Sequence, residues 1–349
     1  MKKKLLPSIR STTDLARQLG LSRWTVSRAL NGHDGINPQT AERVRAAARA
    51  SNFEPNVFGV GLRSGKMNWV GVGLPDLVDY FLTDKLSRLQ RAVQDLGMRV
   101  DFQILEQTPA GERLLIERFT AMRCAGIVLI ASQLQPDDPA LRRLAESGVR
   151  LVRIDPLRTG LPFDVSTDRS HAMETALNHF HQLGHRKIAI AGVDERSGYG
   201  QQRLEGIERA CQKLGWKIPS DLCFLLGDAE DDFQLGTLLG EKFLALPRGK
   251  FTAILTLNDR IALGMLQILK KNGYRIPRDV SLIGYDDSDF APYIDPPLST
   301  IDPGVDELIT LATGLLVSNA EGLERHTVKP RLIERGSTAD VPDIHSSRD

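Results

Sequence analysis

The run Thr12-Thr13-Asp14-Leu15-Ala16-Arg17-Gln18-Leu19-Gly20-Leu21-Ser22-Arg23-Trp24-Thr25-Val26-Ser27-Arg28-Ala29-Leu30-Asn31 constrains the fold more than any other stretch of the chain. Ser11 or Thr12 can cap a first helix with Leu15, Ala16 and Leu19 on its apolar face, and Gly20 permits the left-handed turn that ends it. Ser22 caps a second helix that turns Val26, Ala29 and Leu30 inward. Asn37-Pro38 supplies a cap followed by proline at the first helical position, opening a third helix to about Ser51. Its Ala41, Val44, Ala47 and Ala48 share one face. Three short helices with small residues at their crossings form a minimal helix-turn-helix domain.

Charge is divided unevenly along the chain. Residues 1–66 hold 12 Lys and Arg against 4 Asp and Glu, while the remainder holds 33 against 40, so a net charge of +1 conceals a basic head and a mildly acidic body. A basic head is suited to phosphate. The second helix leaves Arg23, Trp24, Thr25, Ser27 and Arg28 on its outer side. Arginine can bond guanine bidentately, hydroxyls can position on phosphate, and an aromatic can touch a thymine methyl. On an isolated helix two arginines would simply be solvated; the trihelical pattern and the local charge favour DNA. Trp24 suits either a base contact or packing against a neighbour. Residues 53–65 form a linker with room for at most two helical turns, and its Leu62 either docks onto the body or wedges into the minor groove.

A length of 349 residues with 41% hydrophobic content accommodates two or three domains. Cys124, Cys211 and Cys223 are widely spaced, as expected of buried thiols in a reducing compartment, with neither a disulfide framework nor metal-ligand spacing. The start Met1-Lys2-Lys3-Lys4-Leu5-Leu6 imitates a signal peptide, but Pro7, Ser8 and Arg10 leave no room for its apolar core. No apolar stretch approaches the ~18 residues of a membrane span. A cytoplasmic protein with no membrane partner is expected.

Beyond Lys66, short apolar runs alternate with helical patterns. Runs fall at 69–72, 100–105, 126–130, 149–154, 187–190, 253–256 and 280–285, with helices such as 84–97, 169–183, 201–215 and 258–272 between them. This alternation implies parallel sheets covered by helices on both faces, and the length implies two α/β lobes with a ligand cleft at the strands' carboxyl ends. Asp76, Tyr80 and Phe81 follow the first run, Asp155 the fourth, Asn258 and Asp259 the sixth, and Asp286 and Asp287 the seventh; Arg203 opens the helix after 189–192. Carboxylates, an amide, an arginine and aromatics are the inventory for grasping a polyhydroxylated ring. From spacing alone, each Asp or Asn is more often a helix cap than a ligand contact.

Other motifs carry less. His181 and His185 have i,i+4 spacing, but no Glu or Cys completes a metal site, so His171, His179, His181 and His185 are expected to be surface or capping side chains. Gly71-Val72-Gly73 lacks the third glycine of a dinucleotide fingerprint, and neither a Gly-x-Ser-x-Gly elbow nor a P-loop is present. No catalytic residue, metal or cofactor is expected, and the protein is expected not to be an enzyme. Residues after about Ser337 form a polar tail without a leucine heptad, which limits the expected assembly to a dimer.

The run from Thr12 to Asn31, Asn37 to Thr40, Pro55-Asn56 and Leu62 resembles the lactose/galactose repressor (LacI/GalR) family of bacterial transcription regulators. Leu183 to Ala189, Asn258 to Gly264, Ile276 to Asp287 and Pro297 to Ile301 are similar to that family's distal signatures. The resemblance implies an all-α helix-turn-helix head (1–55), a hinge (56–66) and a two-lobed periplasmic-binding-protein-like core of parallel sheets (67–337), with lobe 1 about 67–165 and 302–330 and lobe 2 about 166–298 and 331–337; a polar tail covers 338–349. It implies DNA contacts from Thr12, Ser22, Arg23, Trp24, Thr25, Ser27, Arg28, Asn31, Asn56 and Leu62, with the leucine carried on a hinge helix at 56–63. The implied effector contacts are Tyr80, Phe81, Asp155, Arg203, Phe233, Asn258 and Asp286. The partners implied are double-stranded operator DNA, a small-molecule effector that is a sugar or sugar derivative, and a second copy of the chain.

Three departures stand out. Gly59-Val60 replaces the family's usual Ala-Arg and Gly61 adds a second glycine, each costing a helix interior ~1 kcal/mol relative to alanine. Asp79-Tyr80-Phe81-Leu82 stands where relatives commonly carry Asn-Pro-Phe-Phe. Asp168-Arg169 replaces a common Asp-Asn, leaving open a charged ligand that meets Arg169. The expected function is a ligand-responsive repressor of carbohydrate-utilisation genes on a near-palindromic operator. The rival readings are an enzyme with an accessory DNA-binding head, and a sugar-binding module whose head only stabilises the fold.

Overall fold

The computed structural model describes Ile9 and residues 11–30, 34–53, 67–75, 80–106, 108–194, 196–218, 223–225, 229, 231–318 and 325–341. Asn31, Asn56, Leu62 and the hinge glycines lie outside the described residues. The chain divides into two compact units, Met1–Asn68 with Ala121–Ala125, and Trp69–Thr120 with Gly126–Asp349.

The first unit contains α1 (Thr12–Leu19), α2 (Arg23–Leu30) and α3 (Pro38–Ala50). Ser11 caps α1, its Oγ accepting from Asp14 N at 3.1 Å, and Gly20 ends the helix in the left-handed region at φ 65°. Ser22 caps α2 by accepting from Thr25 N at 3.0 Å. Asn37 accepts from Gln39 N at 2.9 Å, one residue before Pro38 begins α3. Leu15, Ala16, Val26, Ala29, Ala41, Val44, Ala48 and Phe53 form one core, with Leu19, Leu30 and Ala47 packed at its edge. Phe53 closes that core from the residue after the helical hairpin, a contribution the periodic pattern does not announce.

The second unit is built on two six-stranded sheets. The strands in chain order are β1 (Trp69–Leu74), β2 (Arg99–Ile104), β3 (Gly126–Ile130), β4 (Arg150–Ile154), β5 (Asp164–Thr167), β6 (Ile188–Val193), β7 (Cys223–Leu225), β8 (Ala253–Thr256), β9 (Ser281–Tyr285), β10 (Ser299–Asp302), β11 (His326–Val328) and β12 (Arg331–Ile333). Lobe 1 has the order β11-β5-β4-β3-β1-β2 and lobe 2 the order β12-β10-β9-β8-β6-β7. Every pairing is parallel except β10 with β12. The chain passes between the sheets after β5, after β10 and after β11.

Helices α4 (Tyr80–Asp95), α5 (Pro109–Ala121), α6 (Pro139–Ser147) and α11 (Val305–Val317) belong to lobe 1. Helices α7 (Arg169–Gln182), α8 (Gly198–Leu214), α9 (Asp232–Leu244) and α10 (Asp259–Lys271) belong to lobe 2. Strands β3, β6 and β8 are buried along their whole length, which is why they stand out as uninterrupted apolar runs. Helices α9 and α10 touch through glycine: a Cβ on Gly236 would come within 2.2 Å of the Ile261 carbonyl, and one on Gly264 within 2.3 Å of the Phe233 carbonyl. Among the described residues no helix is long and apolar enough to cross a membrane.

Two expectations need correction. The segment from 338 does not leave the body at once: Ala339 N donates to Ser281 Oγ at 3.1 Å and Val341 N to the Leu183 carbonyl at 3.0 Å. His185 is not a surface side chain. It is buried, with Nδ1 2.9 Å from Thr252 Oγ1 and Nε2 3.0 Å from both Ser281 Oγ and the Ala339 carbonyl. Its role is to join the end of α7 to β8, β9 and the returning chain, a long-range function invisible to local spacing.

Candidate functional site

Two regions present functional side chains. In the first unit, α2 turns Val26 and Ala29 into the core and leaves Arg23 and Trp24 exposed, the indole 62% accessible. Arg28 lies 5.1 Å from the Trp24 ring and donates through Nη2 to the Asp34 carbonyl, so its guanidinium is held on the same side of the helix. Thr25, Ser27 and Arg28 are half-buried, as is Thr12 at the start of α1. The hydroxyls of Ser22 and Thr25 lie 2.8 Å apart, so the helix cap engages both. Thr12, Ser22, Arg23, Trp24, Thr25, Ser27 and Arg28 thus all belong to one small helical unit. Exposure of a large indole beside two guanidinium groups is the chemistry of a surface that takes up a base-bearing polyanion.

In the second unit a cavity of about 380 Å³ opens at the carboxyl ends of strands from both sheets. Asp155, after β4, and Asp286, after β9, occupy corresponding stations of the two lobes, and both have left-handed backbones, at φ 46° and φ 105°. Asp155 is fully buried. Its Oδ2 meets Lys85 Nζ at 2.7 Å, while Oδ1 accepts from Arg169 Nη1 at 3.1 Å and from Thr167 N at 2.9 Å. Burial opposes ionisation of this carboxyl, but the charges of Arg169 and Lys85 prevail and hold it well below the usual carboxylate range. Burial likewise opposes the charge on Arg169, and Asp155 overcomes it, keeping the guanidinium firmly protonated.

The other wall comes from lobe 2. Arg203 lies within α8, six residues beyond its Ser197 cap rather than at its opening. The guanidinium stacks 4.9 Å over the Tyr285 ring, and Arg169 stacks 4.0 Å over Tyr199. Tyr199 Oη donates to the Asp155 carbonyl, tying the two lobes together at the cleft floor. Asn258 is both cap and cleft residue: Oδ1 accepts from Ile261 N at 2.8 Å, and Nδ2 donates to Asp232 Oδ2 at 2.7 Å.

Asp155, Arg203, Asn258 and Asp286 are therefore brought together, whereas Phe233 is half-buried and does not line the cavity. Tyr80 and Phe81 begin α4, but their side chains lie outside the described set. Lys85, Tyr199 and Tyr285 were not anticipated. Lys85 had a signal: it falls on the inward stripe of α4 formed by Leu82, Leu86, Leu89 and Val93, where a cation has no place without a partner.

Residues 12–56 match the bacterial regulatory proteins of the lacI family, and residues 177–338 match the periplasmic binding protein-like domain. The chain is 31% identical over 344 residues to the HTH-type transcriptional regulator MalR of Streptomyces coelicolor, spanning 94% of this chain and 96% of that one. It is 27% identical over 348 residues to the HTH-type transcriptional repressor CytR of Escherichia coli, spanning 98% and 100% of the two chains. The lac repressor dimer bound to operator and the anti-inducer ONPF has a similar fold, with a TM-score of 0.75 at 23% identity, covering 93% of this chain and 98% of that one.

Proposed function

Since the chain belongs to the lacI family of bacterial regulatory proteins, we propose that it is a ligand-responsive repressor of carbohydrate-utilisation genes that binds a near-palindromic operator as a cytoplasmic homodimer. The observation that carries this reading is the union of two parts in one chain: a helical head with Arg23, Trp24 and Arg28 on its outer face, and a two-lobed core with a polar cleft. Residues 1–55 supply the DNA-binding domain, 56–66 the hinge and 67–337 the effector-binding and dimerising core.

Two copies place their α2 helices in successive major grooves, about 34 Å apart. Thr12, Ser22, Thr25 and Ser27 position the head on phosphate, Arg23 and Arg28 read base edges with Trp24, and Asn31, Asn56 and Leu62 extend the contact toward the minor groove. The effector occupies the cleft between Asp155 and Asp286, with Arg203 and Asn258 bonding its hydroxyls and Tyr80 and Phe81 supplying aromatic faces. An effector with unequal affinity for two arrangements of the lobes shifts the population that can hold DNA.

Selection of duplexes from a random pool by the purified full chain tests the reading. An enriched sequence with two-fold symmetry is expected. Arg23→Ala should then weaken binding to that duplex about 10- to 100-fold, the worth of one good base contact, with the melting midpoint unchanged because Arg23 is exposed. Undiminished affinity in both Arg23→Ala and Arg28→Ala would instead favour a sugar-binding module with a merely structural head, and turnover of a cleft ligand would favour an enzyme.

A further inference from the structure

A set of contacts made wholly of protein groups crosses the cleft. Asp155 and Lys85 belong to lobe 1, Arg169 and Tyr199 to lobe 2. From the lobe 2 side, Arg169 Nη1 lies 3.1 Å from Asp155 Oδ1 and 3.5 Å from the Thr167 carbonyl of β5, and Tyr199 Oη donates to the Asp155 carbonyl. The Arg169 guanidinium stacks 4.0 Å over the Tyr199 ring, so the two lobe 2 groups support each other. Beside Tyr199, a Cβ on Gly198 would lie 3.3 Å from the Leu157 carbonyl, so the opening of α8 packs closely against the loop that follows β4.

Asp155 is poorly placed to take a sugar hydroxyl. Its side chain is 1% exposed, and Lys85, Arg169 and Thr167 N already occupy both oxygens. A ligand hydroxyl would have to displace a donor from a buried carboxylate, and two of the three donors are charged. Asp286, at the corresponding station of lobe 2, is half-exposed and lines the same cavity. The two stations have therefore diverged: the lobe 2 carboxylate is accessible from the cleft, and the lobe 1 carboxylate joins the lobes. Because each partner is a protein group, these contacts favour the joined arrangement by themselves. A ligand shifts a two-state equilibrium only through unequal affinity for its states, and one that prefers the dominant state changes little. The effector of a responsive regulator must then prefer the arrangement in which this bridge is loosened.

We propose that Asp155, Arg169 and Tyr199 form a built-in brace between the lobes, that Asp155 couples the lobes rather than contacting the effector, and that the effector acts by releasing the brace. This inference rests on the cleft being the effector site of a DNA-binding regulator. Cutting the brace removes a cost that effector binding otherwise meets, so a weakened brace tightens effector binding and moves the chain toward its effector-bound behaviour.

Two variants of the full chain test it. Tyr199→Phe removes the bond to the Asp155 carbonyl and keeps the ring beneath Arg169. Arg169→Met removes the ion pair and leaves Asp155 its bonds with Lys85 and Thr167 N; should it fail to melt cooperatively, Tyr199→Phe decides alone. Glucose, galactose, ribose, maltose, glucuronate and glucose 6-phosphate are titrated by calorimetry into the parent chain and each variant. The best-binding sugar should bind each variant at least threefold more tightly than the parent chain. Asp286→Asn, on the accessible side, should weaken the same sugar at least tenfold, a change of opposite sign. Combining Tyr199→Phe with Arg169→Met should move the operator affinity measured without sugar at least fivefold, toward that of the sugar-saturated parent chain. Unchanged or weaker sugar binding in either single variant would overturn the brace. If no sugar of this panel binds, the combined variant decides: a fivefold shift in operator affinity sustains the brace and no shift overturns it. Failure of the parent chain to select any duplex removes the regulator itself, whereas duplex binding with these shifts absent removes only the brace.

Discussion

Each strand of lobe 1 has a counterpart at the same station of lobe 2, the order β11-β5-β4-β3-β1-β2 being repeated as β12-β10-β9-β8-β6-β7. The buried polar groups of the two lobes are nonetheless neutralised by different means. In lobe 1 an ion pair serves Arg153 and Asp164, although Glu112 of the same lobe is held by Ser132 Oγ and Gln133 N. Arg153 Nε and Nη2 each lie 2.7 Å from an oxygen of Asp164, Nη1 donates to the Leu134 carbonyl, and Asp164 Oδ2 also accepts from Gly160 and Leu161 N. In lobe 2 Arg169 pairs with Asp155 across the cleft, but Asp259 and His185 are held by hydroxyls and backbone groups. Asp259 accepts from Thr300 Oγ1 at 2.6 Å and Ser288 N at 2.7 Å, and His185 is held by Thr252 and Ser281. One backbone plan thus supports two solutions, and they respond differently to acid. An unpaired buried acid or base moves toward its neutral form.

The largest expected effect comes from breaking the lobe 1 pair. Arg153→Met leaves Asp164 buried without its cation and should cost about 3–5 kcal/mol, read as a loss of denaturant midpoint. Next comes the acid response of Asp259. Burial raises its carboxyl to about 7, against roughly 3.9 in an unfolded chain. Its protonated form therefore contributes stability that is complete below about pH 4 and is lost as pH rises toward 7, by roughly 1.4 kcal/mol per unit. The melting midpoint of a His185→Gln variant, which lacks the opposing histidine, should fall across that window.

His185 works in the opposite sense. Burial lowers its pKa, so the stability of the neutral ring is present above about pH 6.5 and fades as pH falls below that value. In Asp259→Asn the midpoint should drop on acidification with no compensating gain. The smallest effect is that of Asp259→Asn itself near pH 7.5, expected to be within about 1 kcal/mol because the amide can still accept one of the two hydrogen bonds. A cost as large as that of Arg153→Met would erase the distinction between the lobes.

What the sequence disclosed follows the range of the interactions involved. Helices α1 to α3 are legible because their caps and apolar faces are set by residues within a turn of one another. Seven strands are legible: β1, β3, β6, β8 and β9 because near-complete burial demands continuous apolar runs, and β2 and β4, which are less buried, because apolar residues recur between their polar ones. Strands β5 and β10 are missed because Asp164, Ser299 and Thr300 make them polar, and those side chains are satisfied by Arg153, by Arg335 N with Thr338, and by Asp259, all from distant parts of the chain. Strands β7, β11 and β12 span only three residues each. In the cleft, Asp155, Asn258 and Asp286 are found from their places after strands, although spacing alone favours capping, and Asn258 performs both tasks. Tyr285 is hidden as the last member of an apolar run, and Tyr199 by lying in a Gly-rich helix start. Phe233, chosen as a stacking aromatic, turns elsewhere.

The most direct test joins the two units in one titration: anisotropy of the selected symmetric duplex against the full chain, with and without the tightest-binding sugar or sugar derivative, at fixed salt. The account predicts that this ligand changes duplex affinity at least tenfold, and that Arg203→Met abolishes the change while preserving DNA affinity without ligand. A duplex affinity indifferent to every sugar and sugar derivative tried, or a response that survives Arg203→Met unaltered, would contradict it.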